Sequence, residues 1–240
     1  TGATAVFADV EADYFALDPA AAEAAITPRT KAIMPVHLYG HPANMMAFAD
    51  IAKRHGLLLL EDAAQAHAAA IGGKPVGTWS EAGSFSFYPT KNMTSGEGGM
   101  VTTASNTIDR QMRLLRSQGM EKRYENEIFG FNNRMTEIHA AIGRVQLSKL
   151  AGWTRKRQAN AAYLNEHISG VITPPTAPEA VHVFHQYTIR IVGHDRDRFA
   201  EELASRGVGS GVYYPTPIHR LPSFGLELDL PTTELVASQV

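Results

Sequence analysis

Leu57-Leu-Leu-Leu60 is the stretch that most restricts what this chain can fold into. Four leucines in a row offer no hydrophilic side, so a strand built from them needs cover on both faces. Such strands belong to parallel sheets flanked by crossover helices. The run stops at Glu61-Asp62. A carboxylate directly after a buried run is costly unless a cation or several hydrogen-bond donors meet it. Asp62 therefore marks the carboxyl end of a central strand, which is where open α/β sheets hold their ligands.

The flanking sequence supports such a sheet. Ala43–His55 places Met46, Phe48, Ile51 and Ala52 at helical spacing, and Gly56 sits where a left-handed C-cap belongs. Upstream, the pattern predicts a strand over Ala5–Val10, a short helix over Ala20–Ile26 started by Asp18-Pro19, and a strand over Ala32–Val36. Downstream it predicts strands over Phe85–Tyr88 and Gly99–Thr103, then a helix over Thr107–Gln118 closed by Gly119. One long helix should run from Thr136 to about His167, interrupted in composition by Gly143 and Gly152. Its expected buried face is Ile138, Ile142, Val145, Leu150 and Trp153. A proline-rich linker, 174–178, precedes a smaller α/β unit. That unit comprises a strand carrying Tyr187, Ile189 and Ile191, a helix over Asp195–Arg206 closed by Gly207, and a strand over Val208–Tyr214. The expected organisation is a mostly parallel α/β large domain over residues 1–150, a connecting helix and linker over 151–178, and a small domain over 179–240.

Composition narrows the function classes. Lysine plus arginine total 22 against 24 acidic residues, a net charge of −2, so no nucleic-acid footprint is expected. No apolar run approaches the roughly 18 residues of a membrane helix. The absence of cysteine excludes disulfides, thiolate metal sites and cysteine nucleophiles, and fits a cytoplasmic location. No metal site is expected.

The chemistry concentrates at Ser84–Gly99, where an aromatic run ends in Lys91 and a glycine cluster follows. Placing an ammonium at an apolar strand end lowers its pKa and leaves a free amine, the form that makes Schiff bases. A snorkelling loop lysine is the plainer alternative. Asp62 would suit a protonated pyridine nitrogen, or would cap a helix over Ala63–Ala69 with Gln65 completing the cap. Ser86 could hold a phosphate or merely bond to backbone, and the cluster Gly96-Glu-Gly-Gly99 could approach a ligand or form a tight turn. His37 stands at a strand end, with packing its better explanation. His67 and Tyr124 are further pocket candidates.

Several ordered segments resemble the signatures of the DegT/StrS-type nucleotide-sugar aminotransferases, which are pyridoxal-phosphate enzymes of the aspartate-aminotransferase fold. They are Glu61-Asp-Ala-Ala-Gln-Ala-His67, Phe85-Ser-Phe-Tyr-Pro-Thr-Lys-Asn92, Gly96–Gly99 and Gly130-Phe-Asn-Asn-Arg-Met135. Met34–Gly40 and Tyr213–His219 add two more, so the resemblance spans the whole chain. It implies that Lys91 holds the cofactor covalently and moves the substrate proton. It further implies that Asp62 pairs with the pyridine nitrogen, Gln65 lies beside the ring, and Ser86 binds the phosphate. Asn132 would reach the cofactor phosphate of a second subunit, making a homodimer the active unit. His219 and Tyr214 would lie on the substrate side. The implied reaction moves an amino group, by family from L-glutamate, to a keto-sugar on a nucleoside diphosphate, in amino-sugar, polysaccharide or antibiotic biosynthesis.

One departure is an absence. The family's N-terminal segment, with a Gly-Ser-Gly-Thr turn that receives the phosphate, has no counterpart here, and the final small-domain segment is also missing. Both ends read as cuts through a longer protein, so these 240 residues alone are expected to bind the cofactor poorly and turn over little. A related keto-sugar dehydratase group carries histidine in place of Lys91, and the lysine argues against that reading. A non-catalytic regulatory homologue is disfavoured by the joint presence of Lys91, Asp62, Gln65 and Ser86. Substrate choice is expected to lie in Gln118–Asn126.

Overall fold

The structure is a computed structural model and describes residues 2–240. The first helix, α1 (Pro19–Ala24), starts as its sequence demands. Asp18 accepts a hydrogen bond from Ala20 N at 2.9 Å, and Pro19 occupies the first turn. Strand β1 (Ala32–Ile33) follows, then α2 (Met45–His55), capped by the Asn44 side chain and ended by Gly56 at φ 64°. Next come β2 (Leu58–Asp62), β3 (Ala70–Ile71), β4 (Lys74–Pro75), β5 (Ala82–Ser86) and β6 (Gly99–Thr102).

The main sheet has the order β1-β2-β5-β6. Its first two pairings are parallel and the last is antiparallel. On one face, Phe48, Ile51 and Ala52 of α2 pack against Ile33 and Leu59. Burying a side chain of the Phe48 kind contributes about 2 kcal/mol or more. The opposite face departs from expectation. Only Leu59 of the four leucines is buried, and Leu58 is 53% exposed, as are Met34 at 58% and Val101 at 45%. Side chains alternate across a strand, and among the described residues no layer closes over the Leu58 side.

The Ala5–Val10 strand is not formed. Val10 makes a single bridge to Leu17, because a strand needs a neighbouring ladder and none runs beside this segment among the described residues. Asp9 turns instead to the other end of the chain. It accepts from Thr232 N (2.9 Å), Thr233 N (2.7 Å) and the Thr233 hydroxyl (2.6 Å).

After β6 come α3 (Asn106–Arg116) and a hairpin of β7 (Met120–Lys122) with β8 (Glu125–Asn126). The long helix, α4 (Glu137–His167), is continuous for 31 residues and is capped by Thr136. Its face is not the one expected. Ile138, Ile142 and Val145 are 74%, 42% and 56% exposed, while Gly143, Leu150, Thr154 and Ala161 are buried. The buried residues recur at spacings that keep one side of a helix. That side packs near Ser95, whose Cβ lies at an ordinary contact distance of 3.5 Å from where a Cβ on Gly143 would stand.

Strand β9 (Ala180–Val181) pairs with β3, so this late segment joins the first half of the chain. The strand expected around Tyr187–Ile191 is reduced to one bridge, Ile172 to Arg190, and Val208–Tyr214 forms no ladder. Helices α5 (Arg196–Ser205, capped by Asp195) and α6 (Pro231–Ala237) complete the chain. Among the described residues no helix is long and apolar enough to cross a membrane.

Candidate active site

The sheet register places the two key strand ends side by side. Asp62, the last residue of β2, lies opposite Ser84, and Ser86 ends β5 two residues further on. Residues two apart share a face, so Asp62, Ser84 and Ser86 face the same way. The strand holding Ser86 is shifted upstream of expectation, since β5 stops there and Phe87–Tyr88 lie beyond it.

No helix follows Asp62, so its expected capping role shrinks to one turn. Ala64 N donates to its Oδ1 at 3.0 Å, and among the described residues its Oδ2 accepts no hydrogen bond. Gln65 likewise does not complete a helix cap. It is buried, its Oε1 accepts from Tyr39 N at 2.7 Å, and its Nε2 donates to the Tyr214 hydroxyl at 3.1 Å.

Lys91 is brought back over the strand end by a turn in which its N–H donates to Tyr88 O at 3.0 Å. Its side chain is half-buried, and burial lowers the ammonium pKa while the Asp62 carboxylate opposes that shift. The opposition means that the two groups interact through a partly dry medium. Two imidazoles stand close by. His67, against the rings of Phe85 (5.5 Å) and Phe87 (6.0 Å), is buried, and neither ring nitrogen makes a well-formed hydrogen bond, the Ser86 backbone offering only a weak one. Burial chiefly lowers its pKa to about 4, and the Lys91 charge adds to that. His185 is lowered to about 4 by burial first and then by Lys91, Arg157 and His67, so both rings are uncharged at neutral pH.

The Ser86 hydroxyl accepts from Tyr88 N at 3.3 Å, a long bond that leaves it free to rotate to another partner. Tyr214 (φ 57°, half exposed) is joined to the cluster through Gln65. His219 is not joined to it. It is 1% exposed, and its Nε2 lies 3.2 Å from Glu234, which also binds Arg220. Asn132 is exposed on the segment that bridges Ser117, and its side chain makes no hydrogen bond among the described residues. Tyr124 is 78% exposed in the β7–β8 turn beneath Arg123.

His37 is a structural residue. It is fully buried, its Nδ1 accepts from Ala43 N at 3.0 Å, and its Nε2–H donates to Glu61 at 3.1 Å. Glu61 also accepts from the backbone N–H groups of Gly77, Trp79 and Ser80 and from the Ser80 hydroxyl. Burial raises its pKa, but these donors outweigh it and the net shift is downward. Glu61 thereby fixes the strand end that carries Asp62.

Sequence reasoning missed Asn92 and His185, which lie 3.1 Å apart beside Lys91. Asn92 could have been suspected from its adjacency to the lysine, whereas nothing in the local pattern marked His185. A cleft of about 490 Å³ lined by Lys53, Trp79 and Ser105 does not include Lys91, Asp62, Asn92 or His185. Among the described residues no cluster of three histidines or carboxylates suits a metal ion.

The chain as a whole resembles known proteins in sequence and in shape. It is 42% identical to the UDP-N-acetyl-3-dehydro-alpha-D-glucosamine 3-aminotransferase of Acidithiobacillus ferrooxidans, over 100% of this chain and 66% of that protein. It is also 42% identical to the dTDP-3-amino-3,4,6-trideoxy-alpha-D-glucose transaminase of Streptomyces venezuelae, over 100% of this chain and 65% of that one. The chain thus spans just under two thirds of these curated relatives. The crystal structure of S. venezuelae DesV in complex with a ketimine intermediate superposes with a TM-score of 0.94 at 42% identity, covering 100% of this chain and 66% of that one. The family model for the DegT/DnrJ/EryC1/StrS aminotransferases matches residues 1–240 without a gap at either end, and the chain belongs to that family.

Proposed function

We propose that the protein containing this chain is a pyridoxal-phosphate-dependent aminotransferase that moves an amino group from an amino acid, L-glutamate in our reading, to a keto-sugar carried on a nucleoside diphosphate. The observation that carries the proposal is Lys91, an amine of lowered pKa in the turn beyond β5 that interacts with Asp62 at the end of the neighbouring β2. The residues present suit the cofactor. The unengaged Oδ2 of Asp62 suits a protonated ring nitrogen, Gln65 is anchored at both ends of its amide, and Ser86 offers a hydroxyl at the strand end. When bound, pyridoxal phosphate supplies the electron sink for a carbanion at the amino-bearing carbon.

The chain's own groups do the rest. Lys91 acts as nucleophile towards an aldehyde and then moves a proton at the substrate α-carbon, roles that a lowered amine pKa favours. Asp62 keeps a proton on the ring nitrogen by ion pairing. Tyr214 extends the Gln65 network towards the substrate side, whereas His219, held by Glu234, lies outside that network and is assigned to the substrate side on the family resemblance alone. Asn132, exposed and without an internal partner for its side chain, serves the site of a second copy in a homodimer. The names of the two relatives support a nucleotide-linked sugar as acceptor. A nucleotide-linked sugar as acceptor supports a cytoplasmic location in this reading.

The test uses the complete protein. Incubation with pyridoxal phosphate should give a visible absorbance band that borohydride abolishes, with the reduced adduct on Lys91 by peptide mass spectrometry. Lys91→Ala should lower kcat with glutamate and a panel of keto-sugar nucleotides by about 10³-fold or more. An unmodified Lys91, or a Lys91→Ala enzyme of full activity, overturns the proposal.

A further inference from the structure

Residues 182–186 form a crossing point for the candidate site. Val183 N donates to Gly40 O (3.0 Å) and Gln186 N to Tyr39 O (3.2 Å), while Tyr39 N reaches Gln65. From the other side, Arg157 of α4 donates to the carbonyls of Phe184 (3.0 Å) and His185 (3.3 Å), and Gln158 donates to His182 O (3.0 Å). The remaining tie leads to the residue after Lys91. Asn92 Nδ2 donates to Val183 O at 3.1 Å, and Asn92 Oδ1 lies 3.1 Å from His185 Nδ1.

This pair is fully specified. Asn92 is 5% exposed, so both ends of its amide must be satisfied internally, and both are. An amide oxygen only accepts, so His185 carries its proton on Nδ1. The charged and titratable groups facing His185 are Lys91, Arg157 and His67, and together with burial they keep the ring uncharged. The segment itself has no slack. A Cβ at Gly40 would lie 2.7 Å from His185 N, so the two backbones are already in contact.

We infer that Asn92 and His185 form a positioning latch for Lys91, holding the 91–92 peptide against residues 182–186 and so setting where the amine stands relative to Asp62. The inference rests on the reading of Lys91 as the reacting amine. Neither residue need touch substrate. They act through the backbone of Lys91, and a reacting group displaced by about 1 Å loses up to about a hundredfold in rate.

The test compares His185→Phe, Asn92→Ala and His185→Asn in the complete protein. The last of these offers an amide N–H near the place of Nδ1–H. The expected result is a fall in kcat of about tenfold or more for the first two, with KM for the amino donor within about twofold and most of kcat recovered by His185→Asn. Nitrogen NMR of histidine-labelled, cofactor-free protein should show His185 as the Nδ1–H tautomer, lost in Asn92→Ala. Unchanged kcat, failure of His185→Asn to do better than His185→Phe, or an Nε2–H tautomer in the parent overturns the latch. Full turnover by Lys91→Ala overturns the reading of Lys91 and the latch with it. Loss of turnover there with unchanged kcat in the latch variants overturns the latch alone.

Discussion

Glu61→Gln isolates the group that holds the end of β2. In the parent, Oε1 accepts from Trp79 N (2.8 Å), Ser80 N (3.2 Å) and the Ser80 hydroxyl (2.8 Å), and Oε2 accepts from Gly77 N (2.6 Å) and His37 (3.1 Å). A glutamine supplies one acceptor and one donor, so its NH₂ must face one of these donor sets. With its oxygen towards Trp79 and Ser80, the amide points hydrogens at Gly77 N–H and His37 Nε2–H. His37 cannot relieve this by moving its proton to Nδ1, because that nitrogen accepts from Ala43 N. Two buried donors are stranded in that case, and in the other the partly buried N–H groups of Trp79 and Ser80 are, the Ser80 hydroxyl being able to turn to Ala82 O. At roughly 1–3 kcal/mol each, the loss is about 4 kcal/mol. Urea unfolding of the complete protein measures it through the shift in midpoint at constant slope. A loss below about 1 kcal/mol would refute the donor count. Because Asp62 is the next residue, kcat should fall as well, which a folded-fraction correction separates from simple instability.

Two further predictions concern the ties between distant segments. Burial pushes the Asp9 carboxyl up, but the Thr233 hydroxyl and the N–H groups of Thr232, Thr233 and Val10 together hold it down at about 2, from 3.8. A lowered folded-state pKa stabilises above the unfolded value and loses that effect as pH falls from 3.8 towards about 2. Thermal midpoints of parent and Asp9→Asn should therefore differ at pH 6 and converge near pH 2 (the titration window just given), whereas a constant gap would refute the linkage. Gly40→Ala should cost at least about 2 kcal/mol in urea unfolding, since φ is +96° and the new Cβ would stand 2.7 Å from a backbone nitrogen that cannot swing away.

What could be read in advance followed from local chemistry. Asp18-Pro19 was legible as a helix start because the Asp18 side chain meets a free N–H by itself, and Asn44 and Thr136, not singled out as caps from the sequence, start α2 and α4 in the same way. Asp62 and Lys91 were legible because a charge that ends an apolar run demands a partner. The failures all needed information held elsewhere. Ala5–Val10 and Val208–Tyr214 have strand-like residues, but a ladder is a property of two segments. Ile138, Ile142 and Val145 are apolar on one side of α4, and apolarity does not say which surface meets them. His185 finds Asn92 across 93 residues, a distance no periodicity spans. Ser86 was found in a strand whose bounds were placed too far downstream, because Phe87 and Tyr88 continue the apolar run beyond the end of β5.

The grip of Asp9 on Thr232 and Thr233 also bears on the order in which the molecule assembles. The partners are 223 and 224 residues apart. Closing a loop of that size from an open chain costs about 5 kcal/mol of chain entropy, set by a logarithm of its length. Three hydrogen bonds do not meet that cost early. They become affordable once the β1–β2–β5–β6 sheet and α4 have drawn the two ends together. Residues 9–18 and α6 should accordingly dock last in folding and open first in native-state hydrogen exchange, behaving as a single cooperative unit though they stand at opposite ends of the sequence.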